Sequence, residues 1–177
     1  MKKFQWNSIS RSLVASALGL AFSAAVGLAE LPKVYVLGTG GTIQSKGDTR
    51  MTRHDYRAGR YDISELVEAL PELNEIARIE SEQITNIGSP SMTPEIWTTI
   101  VEKIHTILRE DPEAAGFVLT HGTNTLEETA FFLHLTLKTD RPVILVGAQR
   151  PATSISGDGP MNLYNAVRVA ATPEARG

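Results

Sequence analysis

Short apolar runs alternate with amphipathic stretches along most of the chain. Each run is rich in β-branched or aromatic residues and is flanked by glycine or proline, a pattern that predicts strands. The runs are Lys33–Leu37, Ala77–Ile87, Gly116–Thr120 and Pro142–Val146. Because predicted helices separate them, we expect an α/β fold in which a mainly parallel sheet is covered by helices in three layers.

Residues that satisfy free backbone groups mark where the helices begin and end. Asp62 followed by Glu65 predicts a capping box at the start of the first helix, and Pro71 stops that helix. Thr93 before Pro94 predicts the start of a longer helix, because proline suits the first helical position. Both segments carry apolar residues at helical spacing, so each is expected to bury one face.

Two more helices are predicted in the C-terminal half. Thr125 and Glu128 are expected to form a second capping box, for a helix that runs through Leu137. Pro160 begins the last helix, after a long loop that starts at Gly147. Each predicted strand is therefore followed by a helix, which is the order that parallel pairing requires.

The loops that follow the strands hold the candidate chemistry. In a parallel sheet, ligands bind beyond the carboxyl ends of the strands, where these loops gather. All of them are rich in small and hydroxyl residues: Gly38–Thr42, Gly88–Ser91, His121–Asn124 and Gly147–Asp158. We expect one shared site at this edge of the sheet.

A long polar segment, Gln44–Arg60, separates the first strand from the first helix. It carries four arginines and two glycines, and such segments can close over a site as a lid. Tyr56 lies within it. This tyrosine is expected either to bring a phenolic hydroxyl to the site or simply to anchor the loop.

Composition excludes several classes of function. The 177 residues suit one domain, and a hydrophobic content of 42% is enough for a core. The net charge of −3 comes without a basic cluster, so nucleic acid is not expected as a partner. The absence of cysteine excludes disulfides, thiolate catalysis and cysteine-ligated zinc. No spacing of His, Asp or Glu favours a metal site.

Residues 1–29 have the pattern of a secretory signal peptide. A positively charged start is followed by an uncharged stretch, Ser12–Ala29, which ends in small residues. A retained membrane anchor is the alternative, but the stretch is rich in Ala, Gly and Ser rather than Leu and Ile. We expect cleavage before Glu30 and a periplasmic or secreted mature chain, with membrane contact only through the signal segment.

Thr42 is a candidate nucleophile. It follows a glycine-rich turn, where glycines permit positive φ and close approach of a ligand, and where successive amides can bind an oxyanion. Thr123 also follows a glycine, so two hydroxyls facing one crevice favour a hydrolase acting on an acyl group. His121 or Tyr56 could take the proton, although His121 could equally just bond to backbone. A turn without chemistry is the alternative.

The two glycine turns resemble the signature segments of bacterial type II L-asparaginases. Those segments are Gly38–Ile43 and His121–Ala130. Further stretches similar to the same family are Asn86–Ser89, Val146–Pro151 and Asp158–Ala166. The resemblance extends, in order, over Leu31–Gly177. It implies the N-terminal α/β domain of an amidohydrolase that acts on L-asparagine or L-glutamine and uses no metal or organic cofactor.

The resemblance implies a role for each matching position. Thr42 would attack the side-chain amide carbon and form an acyl-enzyme, while Tyr56 on the lid would hydrogen-bond to Thr42 and help to activate it. Thr123 would be the second catalytic threonine. Ser89 would help to hold the α-carboxylate of the substrate. Backbone amides around Thr123 and Ala148 would orient the amide group.

Two substrate-binding positions depart from the family pattern. Asn124 stands where the family usually has an aspartate facing the α-ammonium of the substrate, so a charge pair is lost. A hydrogen bond to a charged group contributes about 1.5–3 kcal/mol, so affinity for a free amino acid is expected to fall roughly ten- to a hundredfold. Pro90 stands where the family often has a glutamine. The choice among asparagine, glutamine and another amide therefore stays open.

The family pattern also includes parts that the printed chain does not match. Its lysine, which pairs with the second threonine, would follow Gly177, and neither Lys46, Lys103 nor Lys138 stands in a matching position. Its smaller second domain and its homotetramer with shared sites would likewise need more chain. We therefore expect residues 30–177 to be an N-terminal domain truncated at its C-terminal end, with little or no ammonia release on its own.

Two other functions stay open. A binding module or pseudoenzyme that holds an amino-acid-like ligand without turnover is favoured by Asn124 and Pro90. The related subunit that amidates misacylated tRNA shares the threonine motifs. The predicted export signal and the lack of a basic face argue against that subunit, because tRNA binding requires phosphate contacts.

Overall fold

A computed structural model of the chain describes residues 30–176. The predicted signal peptide, residues 1–29, lies outside the described residues. Within the described part, no helix has the length and apolar character needed to cross a membrane.

All strands of the described sheet run parallel, in the order β2-β1-β3-β4. Their bounds are β1 Lys33–Gly40, β2 Arg78–Ile87, β3 Ala114–Thr120 and β4 Val143–Val146. The helices are α1 Ile63–Glu68, α2 Pro94–Glu110, α3 Leu126–Thr136 and α4 Gly159–Ala170. The predicted α/β fold is confirmed, because each predicted strand and helix is present and the sheet is parallel.

Helices cover both faces of the sheet, as the three-layer prediction requires. On β1, Val34 and Val36 pack with α1 and α4, whereas Tyr35 and Leu37 pack with α2 and α3. On β3, Val118 faces the first layer and Phe117 the second. Successive side chains of a strand point to opposite faces, so central strands covered on both sides must be apolar throughout.

The strand order places the site. From β1 the chain moves to β2 on one side, and then crosses over to β3 on the other side of β1. The loops after β1 and β3 consequently leave neighbouring strands in diverging directions. A crevice opens at such a switch point, at the carboxyl end of the sheet.

One of the predicted helix caps is wrong. At α1, Asp62 accepts from the Ser64 amide at 3.0 Å while the Asp62 amide donates to Glu65 at 2.8 Å, so that capping box is present. At α3, Thr125 makes no side-chain cap. Its hydroxyl donates instead to the carbonyl of Ser89 at 2.9 Å. The side chain therefore ties α3 to a neighbouring loop rather than to its own first turn.

Candidate functional site

Two glycine turns meet backbone to backbone at the switch point. Gly40 and Gly41 have φ of 105° and 77°, in the left-handed region that other residues rarely adopt. A methyl group on Gly41 would lie 2.5 Å from the amide nitrogen of Gly122, so only hydrogen fits there. Thr42 and Thr123 follow these glycines directly and therefore lie on adjoining loops, as predicted.

The amides of the first turn are already paired within the protein. Gly40 donates to Oε1 of Gln44 and Gly41 donates to the carbonyl of Ile87, both at 2.8 Å. The Thr39 amide donates to the hydroxyl of Thr120 at 3.3 Å. The prediction that this turn offers free amides to an oxyanion is thus wrong at these positions, because buried amides find partners as the chain folds.

Thr42 lies in hydrogen-bond contact with Tyr56. The two hydroxyl oxygens are 3.0 Å apart, and either can donate. Thr42 begins a short 3-10 turn through Gln44, while the lid folds back on itself through an isolated antiparallel bridge between Lys46 and Arg57. Of the two roles predicted for Tyr56, the contact favours bringing its hydroxyl to the site over merely anchoring the loop.

His121 is fully buried and both of its ring nitrogens have partners. Nδ1 lies 2.7 Å from the Gly122 carbonyl, which can only accept, so Nδ1 carries the proton. Nε2 lies 2.9 Å from the hydroxyl of Thr129, whose oxygen accepts from the indole of Trp97 at 2.8 Å. Thr129 therefore donates to Nε2.

Burial sets the charge of this histidine. It lowers the pKa of His121, outweighing the Gly122 carbonyl and the nearby Glu128 carboxylate, which both favour the charged form. A neutral imidazole with no free nitrogen and no exposed surface cannot take a proton from a substrate or from Thr42. His121 is thus a structural residue, which was the alternative to its role as general base.

The predicted substrate-binding residues form a second group beside the glycine turns. Ser89 is buried, and its hydroxyl oxygen accepts from the Asn124 amide at 3.2 Å. The side chain of Asn124 is exposed, as is Pro90 in the short turn that follows β2. A methyl group on Gly122 would lie 2.6 Å from the Ser89 hydroxyl. This loop therefore packs directly on the turn before Thr123.

The loop after β4, which begins at Gly147, lies beside Thr123 at the same edge of the sheet. A methyl group on Gly147 would lie 3.0 Å from the Thr123 methyl carbon, which sets Thr123 beside the end of β4. Ala148 comes next in the chain and is buried. The structure thus gathers the predicted residues in three groups around one edge: Thr42 with Tyr56, Ser89 with Asn124, and Thr123 with Gly147 and its neighbour Ala148.

Asp158 holds this fourth loop in shape and was not predicted. Its carboxylate accepts from the amides of Gln149 at 2.8 Å and Arg150 at 2.9 Å, and from the Asn162 side chain at 3.2 Å. Burial on its own would raise the pKa of Asp158, but these hydrogen bonds outweigh it and the pKa is lowered. An acidic residue just before the proline-led start of α4 was the available signal.

Two amide side chains were also missed, the buried Gln44 and the partly buried Gln83. Gln44 has no exposed surface and bonds to Gln83 at 2.8 Å, directly behind the turn that carries Thr42. A glutamine at the start of a polar loop gives no sequence signal of burial. Within residues 30–176, no group of three or more His, Asp or Glu side chains is arranged to hold a metal ion.

Comparison with known proteins agrees with this arrangement. Residues 33–177 match the family model described as asparaginase, N-terminal. L-asparaginase 2 of Escherichia coli is 49% identical over 156 residues, covering 88% of this chain and 43% of that protein. A probable periplasmic L-asparaginase of Haemophilus influenzae is 46% identical over 169 residues, covering 96% of this chain and 47% of that protein.

A solved structure is similar as well. The probable cytoplasmic L-asparaginase of Campylobacter jejuni superposes with a TM-score of 0.78 at 49% identity, over 81% of this chain and 43% of that one. The chain thus spans less than half the length of these relatives. Since the family model covers nearly all the described residues, the chain belongs to the asparaginase family, in the part that forms its N-terminal domain.

Proposed function

We propose that this chain carries the nucleophile of an amidohydrolase that converts L-asparagine to aspartate and ammonia. The observation that supports it best is the 3.0 Å contact between Thr42 and Tyr56, at the switch point of a parallel sheet and beside the turn that leads to Thr123. A threonine hydroxyl needs a neighbour to take its proton, and Tyr56 is in reach.

The reaction follows from these positions. The Thr42 oxygen attacks the amide carbon while its proton passes to the Tyr56 oxygen. The hydroxyl proton of Tyr56 passes in turn to the amide nitrogen, and the carbon–nitrogen bond breaks to release ammonia. Water then hydrolyses the resulting ester, with Thr123 as the second catalytic threonine. Ser89, Pro90, Asn124 and the backbone at Ala148 form the substrate-binding side. L-glutamine is the alternative substrate, because Asn124 and Pro90 leave the preference open.

Acylation of Thr42 is the step to test, because it precedes any need for the groups that process water. An aryl ester of the aspartate side chain carries a good leaving group and should acylate the full chain even where the amide reacts slowly. We expect a covalent adduct on Thr42, located by mass spectrometry, and none in Thr42→Val. Tyr56→Phe should slow acylation by about 10²-fold or more, as for loss of a proton-transfer group.

Tyr61→Phe is the matched control, since it removes a phenol at the base of the lid and keeps the backbone. It should acylate like the unsubstituted chain. An adduct that persists in Thr42→Val, or equal slowing by both tyrosine substitutions, would overturn the proposal. Binding of L-asparagine by calorimetry without any adduct would favour the alternative, a binding module, for which the exposed Asn124 amide in place of a carboxylate is the supporting observation.

We further propose that the protein is of the exported, type II kind and that the whole protein forms homotetramers. The charge pattern of residues 1–29 supports export, and one relative is named periplasmic while the structural neighbour is named cytoplasmic. Mass spectrometry of protein from a periplasmic fraction should find a mature N-terminus at Glu30. Sedimentation of the whole protein would test the tetramer.

A further inference from the structure

Gln44 has every hydrogen-bonding valence of its amide group filled. Oε1 accepts from the Gly40 amide at 2.8 Å and from the Thr120 hydroxyl at 2.7 Å. Nε2 donates to the Tyr61 carbonyl at 2.9 Å and to Oε1 of Gln83 at 2.8 Å. A buried amide with all four bonds made joins its partners rigidly. Here the partners belong to β1, β3, β2 and the far end of the lid.

The backbone of Gln44 strengthens the same connection. Its carbonyl accepts from the amides of Arg60 at 2.7 Å and Tyr61 at 2.9 Å, and the Gly59 amide approaches the Gly41 carbonyl at 3.4 Å. Residues 59–61, where the lid returns to the body of the protein, are therefore fixed to the turn that contains Thr42. We call these three residues the lid hinge.

Space for this network comes from Gly38. Gly38 pairs with Gln83 on one side and with Thr120 on the other. A methyl group on Gly38 would lie 2.5 Å from Oε1 of Gln83. That oxygen also accepts from the Ile63 amide at the start of α1, at 2.7 Å. Gly38 thus makes room for the side-chain amides of Gln83 and Gln44 behind the turn, rather than for a ligand in front of it.

We propose that Gln44 is the positioning residue that couples lid closure to the alignment of Thr42. Thr42 and Gln44 share one short helical turn, and Gln44 holds the lid hinge through its side chain and its backbone. Movement of the hinge must then move the turn. The lid can bring Tyr56 to Thr42 only when this turn is in place, so closure and alignment are one event. The role of Tyr56 and Thr42 in this inference rests on the proposed function.

Hydrogen exchange of the full chain tests the coupling without requiring activity. In Gln44→Leu, the amides of Arg60 and Tyr61 and the lid residues 51–58 should exchange about ten- to a hundredfold faster relative to β3, the effect of leaving buried groups unpaired. Acylation of Thr42 by the aryl ester should slow in the same variant. Gly38→Ala, which displaces Gln83 and leaves Gln44 in place, should give the same pattern and decides the matter where Gln44→Leu does not fold.

Tyr35→Phe is the control. It removes a 2.8 Å hydrogen bond to Asp111 at the opposite end of β1, so it lowers stability without touching the hinge. Its lid should exchange no faster relative to β3. Faster lid exchange in this control, or unchanged exchange of the hinge in Gln44→Leu and Gly38→Ala, overturns the coupling. Faster hinge exchange in a chain that never acylates supports the coupling while the proposed function fails.

Discussion

His121 is a residue whose surroundings, rather than its type, decide what it does. Its position between a strand end and a glycine makes it a candidate base in the sequence. In the structure its ring turns into the protein, and Thr129 and the Gly122 carbonyl occupy its two nitrogens. Folding therefore keeps it neutral, at a cost that depends on pH.

The stability of the chain should fall on acidification because of His121. The unfolded chain protonates this histidine near pH 6.5, and burial lowers the pKa in the folded state. Its stabilising effect is therefore complete above pH 6.5 and is lost as the pH falls from there towards the folded pKa, by up to about 1.4 kcal/mol per pH unit. The free energy of unfolding, measured with denaturant at several values between about pH 5 and pH 8, gives this slope.

His121→Gln should flatten this slope whatever it does to stability at pH 8. His54→Gln, in the exposed part of the lid, should keep the slope of the unsubstituted chain. Equal slopes in the two variants would contradict the assignment.

At the scale of single residues, the sequence predicted which residues lie in the glycine turns. It did not predict the burial of the Gln44 side chain behind the first turn. The contact between Thr42 and Tyr56 was expected because the family resemblance implies a hydrogen bond between these two positions. Gln44 was missed because its burial depends on Gln83 in β2 and on the register that pairs Gln83 with Gly38 of β1. The catalytic and binding roles stay predictions until the acylation experiment is done.

Local chemistry predicted where the helices begin better than it predicted how they are capped. The Asp62 carboxylate serves its own helix by accepting from the Ser64 amide and hydroxyl, and these hydrogen bonds lower its pKa. Thr125 lies beside the loop after β2, and its hydroxyl bonds to Ser89 instead. A capping box can be recognised in sequence, but a tertiary contact that competes for the hydroxyl cannot.

The two predicted capping boxes should therefore respond differently to substitution. Asp62→Ala should lose about 1 kcal/mol of stability, the usual cost of removing an N-cap. Glu128→Ala, which alters an exposed residue outside any cap, should stay within about 0.5 kcal/mol. Urea unfolding at constant pH measures both. Comparable losses at the two sites would mean that α3 is capped in solution as the sequence suggests.

At the scale of the whole molecule, one sheet joins two apolar layers. β1 and β3 contribute to both, with alternate side chains in each. The edges differ: β2 exposes charged residues such as Arg78, Glu80 and Glu82, whereas β4 reads Val-Ile-Leu-Val. Charges protect an open edge from unwanted pairing. The parallel sheet and its two helical layers could be expected from the alternation of elements, but the strand order and the register that aligns Gly38 with Gln83 could not.

Because the layers share their strands, they should unfold together. Ile104→Ala in α2 and Leu163→Ala in α4 each empty a buried site in a different layer, and each should lose about 2–5 kcal/mol. In a Trp6→Phe background, fluorescence reports Trp97, which packs in the α2 layer. Leu163→Ala should shift the fluorescence transition and the circular dichroism transition equally. If Leu163→Ala left the fluorescence transition unchanged, the two layers would unfold independently of each other.

The close contact of Gly41 with Gly122 has a consequence for how such a protein diversifies. The spacing of the two threonine-bearing turns is set by main chain alone, with no side chain between them. Surrounding residues that face outward, such as Pro90 and Asn124, can then be exchanged by mutation without shifting either hydroxyl. Replacement of these surface residues would accordingly change the substrate preference of the proposed reaction centre while its geometry is inherited unchanged.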